Sequence, residues 1–162
     1  MKTAFARPGR RMLVALEPGD EVLTSLADAC RAAGIEQAAI TTFSGAFRWA
    51  RIIASDHAPA DPEAPLPEST TIGYSEGVGS GTILLGEDGE LIVHLHVAFG
   101  EKDRSGAAAA GHLLAAETHY VVEVVVDEIL DPPLRRAPHP GASGLHILDF
   151  PQLRRPVPAD PA

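Results

Sequence analysis

Glu90-Leu-Ile-Val-His-Leu-His-Val-Ala-Phe-Gly100 is the stretch on which both the fold and the site turn. It has the pattern of a β-strand, in which residues two apart share a face. Leu91, Val93, Leu95, Val97 and Phe99 then form an unbroken apolar row, the mark of a strand side facing a core. The opposite face carries Ile92, His94, His96 and Ala98. Two imidazoles side by side on a core-like strand have three physical explanations: a metal ion, a catalytic pocket, or hydrogen bonds in a buried polar layer. Downstream, Gly111-His112 adds a third imidazole on a separate segment.

The surroundings of this strand read outward from it. Thr82-Ile83-Leu84-Leu85 precedes it as another strand, and Gly86-Glu87-Asp88-Gly89 is a tight hairpin turn between the two. After it, Gly100 to Gly111 lacks a strand pattern; its charged run, four alanines and flanking glycines predict a compact loop. His112 to Ala115 follows, then a Val-rich strand from Thr118 to Ile129. On that strand His119, Val121, Glu123 and Val125 share one face and Tyr120, Val122, Val124 and Val126 the other.

Towards the N-terminus, Arg11 to Glu17 reads as a first strand. Pro18-Gly19-Asp20 turns the chain, with Asp20 the expected helix cap. Glu21 to Ala33 has helical spacing, with Val22, Leu26, Ala29 and Ala33 along one stripe and Gly34 as the stop. Cys30 sits beside that stripe and reads as a small buried thiol. Ile35 to Ile53 reads as two strands joined near Ser44-Gly45-Ala46, with Phe43 and Trp49 as core or subunit-interface residues. Ala54 to Glu68 carries four prolines and several acids and reads as a surface loop. Thr70 to Tyr74 is a candidate short strand. From Asp131 the chain holds eight prolines to its end, with Gly144 to Asp149 as a last short strand. The sum is an α/β fold of α+β type: a compact, mostly antiparallel, strand-rich domain with one clear helix. The domain runs over residues 11–149, with an extension at 1–10 and a Pro-rich tail at 150–162.

A chain of 162 residues fits one domain that buries roughly 70% of its unfolded surface. It has no apolar run long enough to span a bilayer. The first residues lack the apolar core of a secretory signal. With a single cysteine, an internal disulfide and a cysteine-rich zinc knuckle are both excluded. These features favour the cytoplasm. The net charge is −9, from 22 acids against 13 Lys and Arg, a poor balance for binding phosphates. Arginines cluster at Arg7, Arg10 and Arg11 and at Arg135, Arg136, Arg154 and Arg155, near Pro-rich ends, where solvated tails are the ordinary reading.

An ordered set of motifs resembles the plants and prokaryotes conserved (PPC) domain. The set is Leu16-Glu17-Pro18-Gly19-Asp20-Glu21-Val22, Gly79-Ser80-Gly81-Thr82-Ile83, His94-Leu95-His96, Gly111-His112-Leu113 and Val122-Glu123-Val124-Val125. The resemblance implies a compact domain that assembles as a homotrimer. In plants this domain follows AT-hook segments of DNA-binding proteins. Here the Arg-Gly-Arg-Pro core of such a hook is missing, since Arg7-Pro8-Gly9-Arg10 has the letters in another order. A DNA-binding role inherited from the plant proteins would rest on the part this chain lacks. The fold is also similar to that of acetolactate decarboxylase and a related zinc-dependent hydrolase, which hold a metal with a His-x-His pair and a further histidine; His94, His96 and His112 match that order.

Zinc accepts three imidazoles and leaves a fourth position open. Such a site lowers the pKa of a bound water to about 7 and polarises carbonyls. His94, His96 and His112 are therefore the candidate zinc ligands, with a small carbonyl or ester as the substrate class; buried structural histidines are the plain alternative. His119 is a second candidate for the third ligand. Glu123 is a candidate general base or hydrogen-bond acceptor, or an edge-exposed acid. Arg104 is a candidate for orienting an anionic substrate, or part of a solvated turn. The competing functional classes are a non-enzymatic assembly or regulatory module and a DNA-binding protein.

Overall fold

The computed structural model describes residues 1–54, 61, 69–86 and 88–152. Among these residues eight strands and one α-helix occur in the order β1 (Arg7–Leu16), α1 (Val22–Ala33), β2 (Gln37–Ile53), β3 (Ser69–Ile72), β4 (Ser75–Leu85), β5 (Leu91–Glu101), β6 (Ala108–Asp131), β7 (Arg135–Pro138) and β8 (His146–Asp149). All described pairings are antiparallel. The main sheet runs β1-β6-β5-β4-β2-β3, and β2 also pairs with β6, so the sheet curls round and closes on itself. β7 and β8 form a separate hairpin. Among the described residues no helix is long and apolar enough to cross a membrane.

The apolar row of β5 faces inward as the alternation requires. Leu95, Val97 and Phe99 are buried, while Ile92, His96 and Ala98 lie on the open face. Inside, Phe47 stacks on Phe43 with centroids 5.7 Å apart and meets Phe99 edge-on at 4.9 Å, geometries that aromatic quadrupoles favour. The helix covers this core, packing against β1, β5 and β6. Its buried line is Val22, Leu26, Ala27 and Cys30, so Cys30 lies within the stripe, and burial pushes its thiol pKa up. That is the inert state expected of a core cysteine.

Three local readings change. The helix cap is Glu21, whose Oε2 accepts from the Thr24 N–H at 2.8 Å. Asp20 instead closes the preceding turn, accepting from the Glu17 N–H at 2.8 Å. The stretch read as two strands is the single strand β2, with ladder irregularities between Ile40 and Ser44 and around Gly45 to Trp49. The small residues there bend the strand without ending it; a Cβ at Gly45 would stand 2.3 Å from the Val121 carbonyl oxygen. Finally, the predicted loop from Gly100 to Gly111 is a shorter turn between two strand ends. Lys102–Arg104 form one 3-10 turn, Ser105 and Gly106 take positive φ, and Ala108 to Gly111 pair back onto β5. Alanine has weak strand preference, but the ladder with β5 overrides it.

Part of the Pro-rich stretch at 54–68, Glu87 of the predicted hairpin turn and most of the tail at 150–162 lie outside the described residues. The turn itself is visible in its flanks: the Gly86 N–H donates to the Glu90 carbonyl at 2.7 Å, and Leu85 pairs with Leu91.

Candidate metal centre

The hairpin of β5 and β6 builds the site. Its register sets His112 directly opposite His96, where facing residues of antiparallel strands bring their Cβ atoms within about 5.5 Å. His94 stands two residues along β5 on the same face. β4 supports the pair from the other side, with Thr82 opposite His94 and Ser80 opposite His96. Gly81 permits that approach: a Cβ there would fall 1.9 Å from the His94 carbonyl oxygen. The Gly79-Ser80-Gly81 motif thus lies beside the histidine strand in the same sheet.

The three rings converge. Centroid separations are 5.0 Å for His94–His96, 4.7 Å for His94–His112 and 5.5 Å for His96–His112. One nitrogen from each lies within 4.8 Å of the others. Tetrahedral zinc with nitrogen ligands at about 2.0–2.1 Å needs nitrogens roughly 3.3 Å apart, so modest ring rotations bring the set onto one ion. Burial, then Arg136, then the neighbouring imidazoles lower the His94 pKa to about 4. His112 is lowered by burial, then by His96 and Arg136. His94 is therefore neutral at physiological pH, and neutral imidazole is the form that binds metals. The donor set fits a borderline-soft divalent ion.

A cleft of about 770 Å³ opens over the histidines. One wall is the main sheet, with Ile53, Ile92 and Val93; the other is the β7–β8 hairpin, with Arg136, Leu145, His146, Ile147 and Leu148. The hairpin is pinned to the sheet by Arg136, whose NH2 group donates to Thr82 Oγ1 at 3.1 Å. The adjacent NH1 group donates to the His146 carbonyl at 3.3 Å. Arg136 Nε is buried with no hydrogen-bond partner, and burial lowers the pKa of the guanidinium.

The other residues singled out in the sequence lie elsewhere. His119 is on β6, packed between Tyr120 at 3.9 Å and Tyr74 at 4.9 Å between centroids. Glu123 is exposed, opposite Ala15 on β1 and Ser44 on β2, eleven positions and roughly 36 Å of extended chain beyond His112. Arg104 is on the 3-10 turn, exposed and paired with Glu101 at 2.9 Å. None of the three lines the cleft. Sequence reasoning missed Arg136 and the hairpin wall. Arg135 and Arg136 read as a solvated basic pair, yet Arg135 pairs with Asp149 at 2.7 Å while its neighbour turns to the histidines. The available signal was the strand read at Gly144 to Asp149, which needs a partner to pair with.

The sequence matches the family described as the Plants and Prokaryotes Conserved (PCC) domain over residues 3–130. The chain belongs to this family. The match spans the helix and the strands through β6, and ends before the β7–β8 hairpin. Among solved structures, the fold is similar to a plant- and prokaryote-conserved protein of Pyrococcus horikoshii, at 26% identity and TM-score 0.72, covering 96% of this chain and all of that one. A metal-containing protein of Archaeoglobus fulgidus is similar at 24% identity and TM-score 0.70, covering 95% and 100%. A protein of Ralstonia eutropha named for a proposed DNA-binding role is similar at 22% identity and TM-score 0.70, covering 86% and 90%. No curated protein matches the sequence significantly.

Proposed function

We propose that this PCC-domain protein is a cytoplasmic homotrimer in which His94, His96 and His112 hold a zinc ion, and that its cleft acts on a small carbonyl or ester substrate. The observation that carries the reading is the convergence of three imidazole nitrogens within 4.8 Å on the floor of a cleft with apolar walls. Buried structural histidines hydrogen-bond to backbone or acids; these three face one another instead. The metal named for the Archaeoglobus relative supports the same reading. When bound, zinc supplies a Lewis acid that polarises a carbonyl oxygen. The protein's own contribution is to present three imidazoles from one hairpin, to shield the site with β7–β8, and to place the cation of Arg136 beside it.

The trimer is supported by an exposed apolar patch on β4 and β6 and at the foot of β4. Tyr74, Val78, Tyr120 and Val121 are all more than 40% exposed, and a groove of about 440 Å³ runs between Val78, Ala98 and Tyr120. Contiguous exposed apolar surface of this kind marks association. Nucleic acid is disfavoured as a partner. The net charge is −9, and Arg10, Arg11 and Arg135 are each engaged by an acid.

The test is metal content per chain on protein purified without a His tag, with His94→Ala alongside. Near-stoichiometric zinc that disappears in the variant supports the reading. Protein that takes up no metal even after zinc is added back overturns it and makes the histidines structural.

A further inference from the structure

We propose that the cleft over the histidines binds a small monocarboxylate with an apolar body, and that Arg136 is its anion anchor. The proposal rests on reading the three histidines as a metal centre, and it adds the substrate class.

Charge balance carries the argument furthest. Among the described residues no carboxylate lines the cleft, and the candidate ligand group found among them contains no acid. With a divalent ion on the three imidazoles and a guanidinium in the wall, the described lining holds about three positive charges and no anion. An uncompensated cation set in a half-buried site attracts an anion strongly. Arg136 also differs from its neighbours in what it touches. Arg10, Arg11, Arg31, Arg48, Arg104 and Arg135 each have a carboxylate partner. Arg136 has only two uncharged acceptors, Thr82 Oγ1 and the His146 carbonyl, and its Nε is left without one. Those two contacts fix the plane of the guanidinium and leave donor capacity unused, the arrangement suited to a planar carboxylate.

The walls select the rest of the ligand. Ile53, Ile92, Leu145, Ile147 and Leu148 surround the polar floor. Sulfate or phosphate would match the charge and leave those side chains wet. A branched or linear aliphatic acid covers them, each buried methylene contributing about 0.8 kcal/mol. A 2-oxo group beside the carboxylate would link this class to the carbonyl chemistry proposed above. The recognition elements Arg136, Leu145, Ile147 and Leu148 all lie beyond residue 130, where the family match ends. On this proposal the hairpin supplies the specificity of the cleft.

The experiment is calorimetric titration of the full-length, zinc-loaded protein with 4-methyl-2-oxopentanoate and with the neutral ketone 4-methylpentan-2-one. Arg136→Gln and Arg136→Lys are titrated in parallel, with zinc content measured on every sample. The acid is expected to bind at least about tenfold more tightly than the ketone, and Arg136→Gln to lose at least about tenfold in acid affinity. Zinc content is expected to stay unchanged, and Arg136→Lys to fall between. Equal binding of acid and ketone, no binding to the zinc-loaded protein, or a folded Arg136→Gln that binds the acid as the wild type does would overturn the proposal. Should Arg136→Gln fail to fold, the acid-against-ketone comparison on the wild type and the Arg136→Lys titration decide the outcome. Should the protein take no zinc, the metal reading fails separately. Titration of the metal-free protein then decides the anchor: acid binding that Arg136→Lys weakens upholds it, and none removes it.

Discussion

At one end of β6, His112 faces His96 and His94 with no acid beside it among the described residues; at the other, Asp127 and Glu128 are each held by an arginine of β1. Arg10 grips Glu128 through two side-chain hydrogen bonds of 2.8 and 2.7 Å and a backbone N–H at 2.9 Å. Arg11 holds Asp127 at 2.6 Å, and the Thr41 hydroxyl donates to the same carboxylate at 2.9 Å. The same strand, with the same alternation, thus has an end where charges cancel and an end where polar groups are gathered and left uncancelled. Paired charges add stability and ask for nothing further. Converging imidazoles and a guanidinium without an acid ask for a ligand. The difference arises from which strand lies opposite: β1 brings arginines to acids, and β5 brings histidines to a histidine.

Breaking each end separately sharpens the comparison. The largest effect is expected at the histidine end. His112→Ala should take bound zinc from about one per chain to none, whereas Glu128→Gln should leave it unchanged, as read by elemental analysis of folded protein. Phe99→Ala strikes the core face of the same hairpin, where the ring meets Phe47. It should destabilise the fold by about 3–5 kcal/mol in denaturant titration, with zinc per folded chain retained. Midway along β6, Tyr120→Glu places a charge in the exposed apolar patch and should shift the proposed trimer towards monomer by sedimentation, without changing metal content.

The smallest effect is expected at the paired end. Arg10 holds the Glu128 carboxyl at about 2, below its ordinary 4.5, chiefly through the side-chain hydrogen bond. A depressed folded-state pKa gives stability that is full above the unfolded value and lost as pH falls through the folded one. Arg10→Ala should therefore lower the melting temperature by a few degrees near pH 7. The gap from wild type should narrow below about pH 4.5 and close near pH 2. A gap that persists at pH 2 would assign the effect to packing of the Arg10 stem.

These outcomes also bear on how much of the molecule its sequence discloses. Strong periodicity made β5, the helix and the β4–β5 turn legible, and with them His94 and His96 as a same-face pair. His112 was legible as a third imidazole, but not the reason it converges. Ala108 to Gly111 pair because β5 lies alongside, which local composition does not encode. The continuity of β2 was hidden for a similar reason, since Ser44-Gly45-Ala46 ends a strand by propensity and only bends it in the sheet. Arg136 was hidden most completely. Its proposed role depends on a hairpin of two four-residue strands, a hydrogen bond to Thr82 54 positions earlier, and a described lining without an acid. Glu123 and Arg104 show the converse: a chemically suitable residue type on a suitable strand or turn, placed where it meets the histidines at no point.

The central claim is that His94, His96 and His112 form one metal centre, and zinc-edge X-ray absorption on tag-free, zinc-loaded protein tests it most directly. The account predicts three imidazole nitrogens at about 2.0–2.1 Å and one further light ligand, the four-coordinate environment zinc adopts in such sites. A six-oxygen environment, or a zinc spectrum that His96→Ala leaves unchanged, would contradict it.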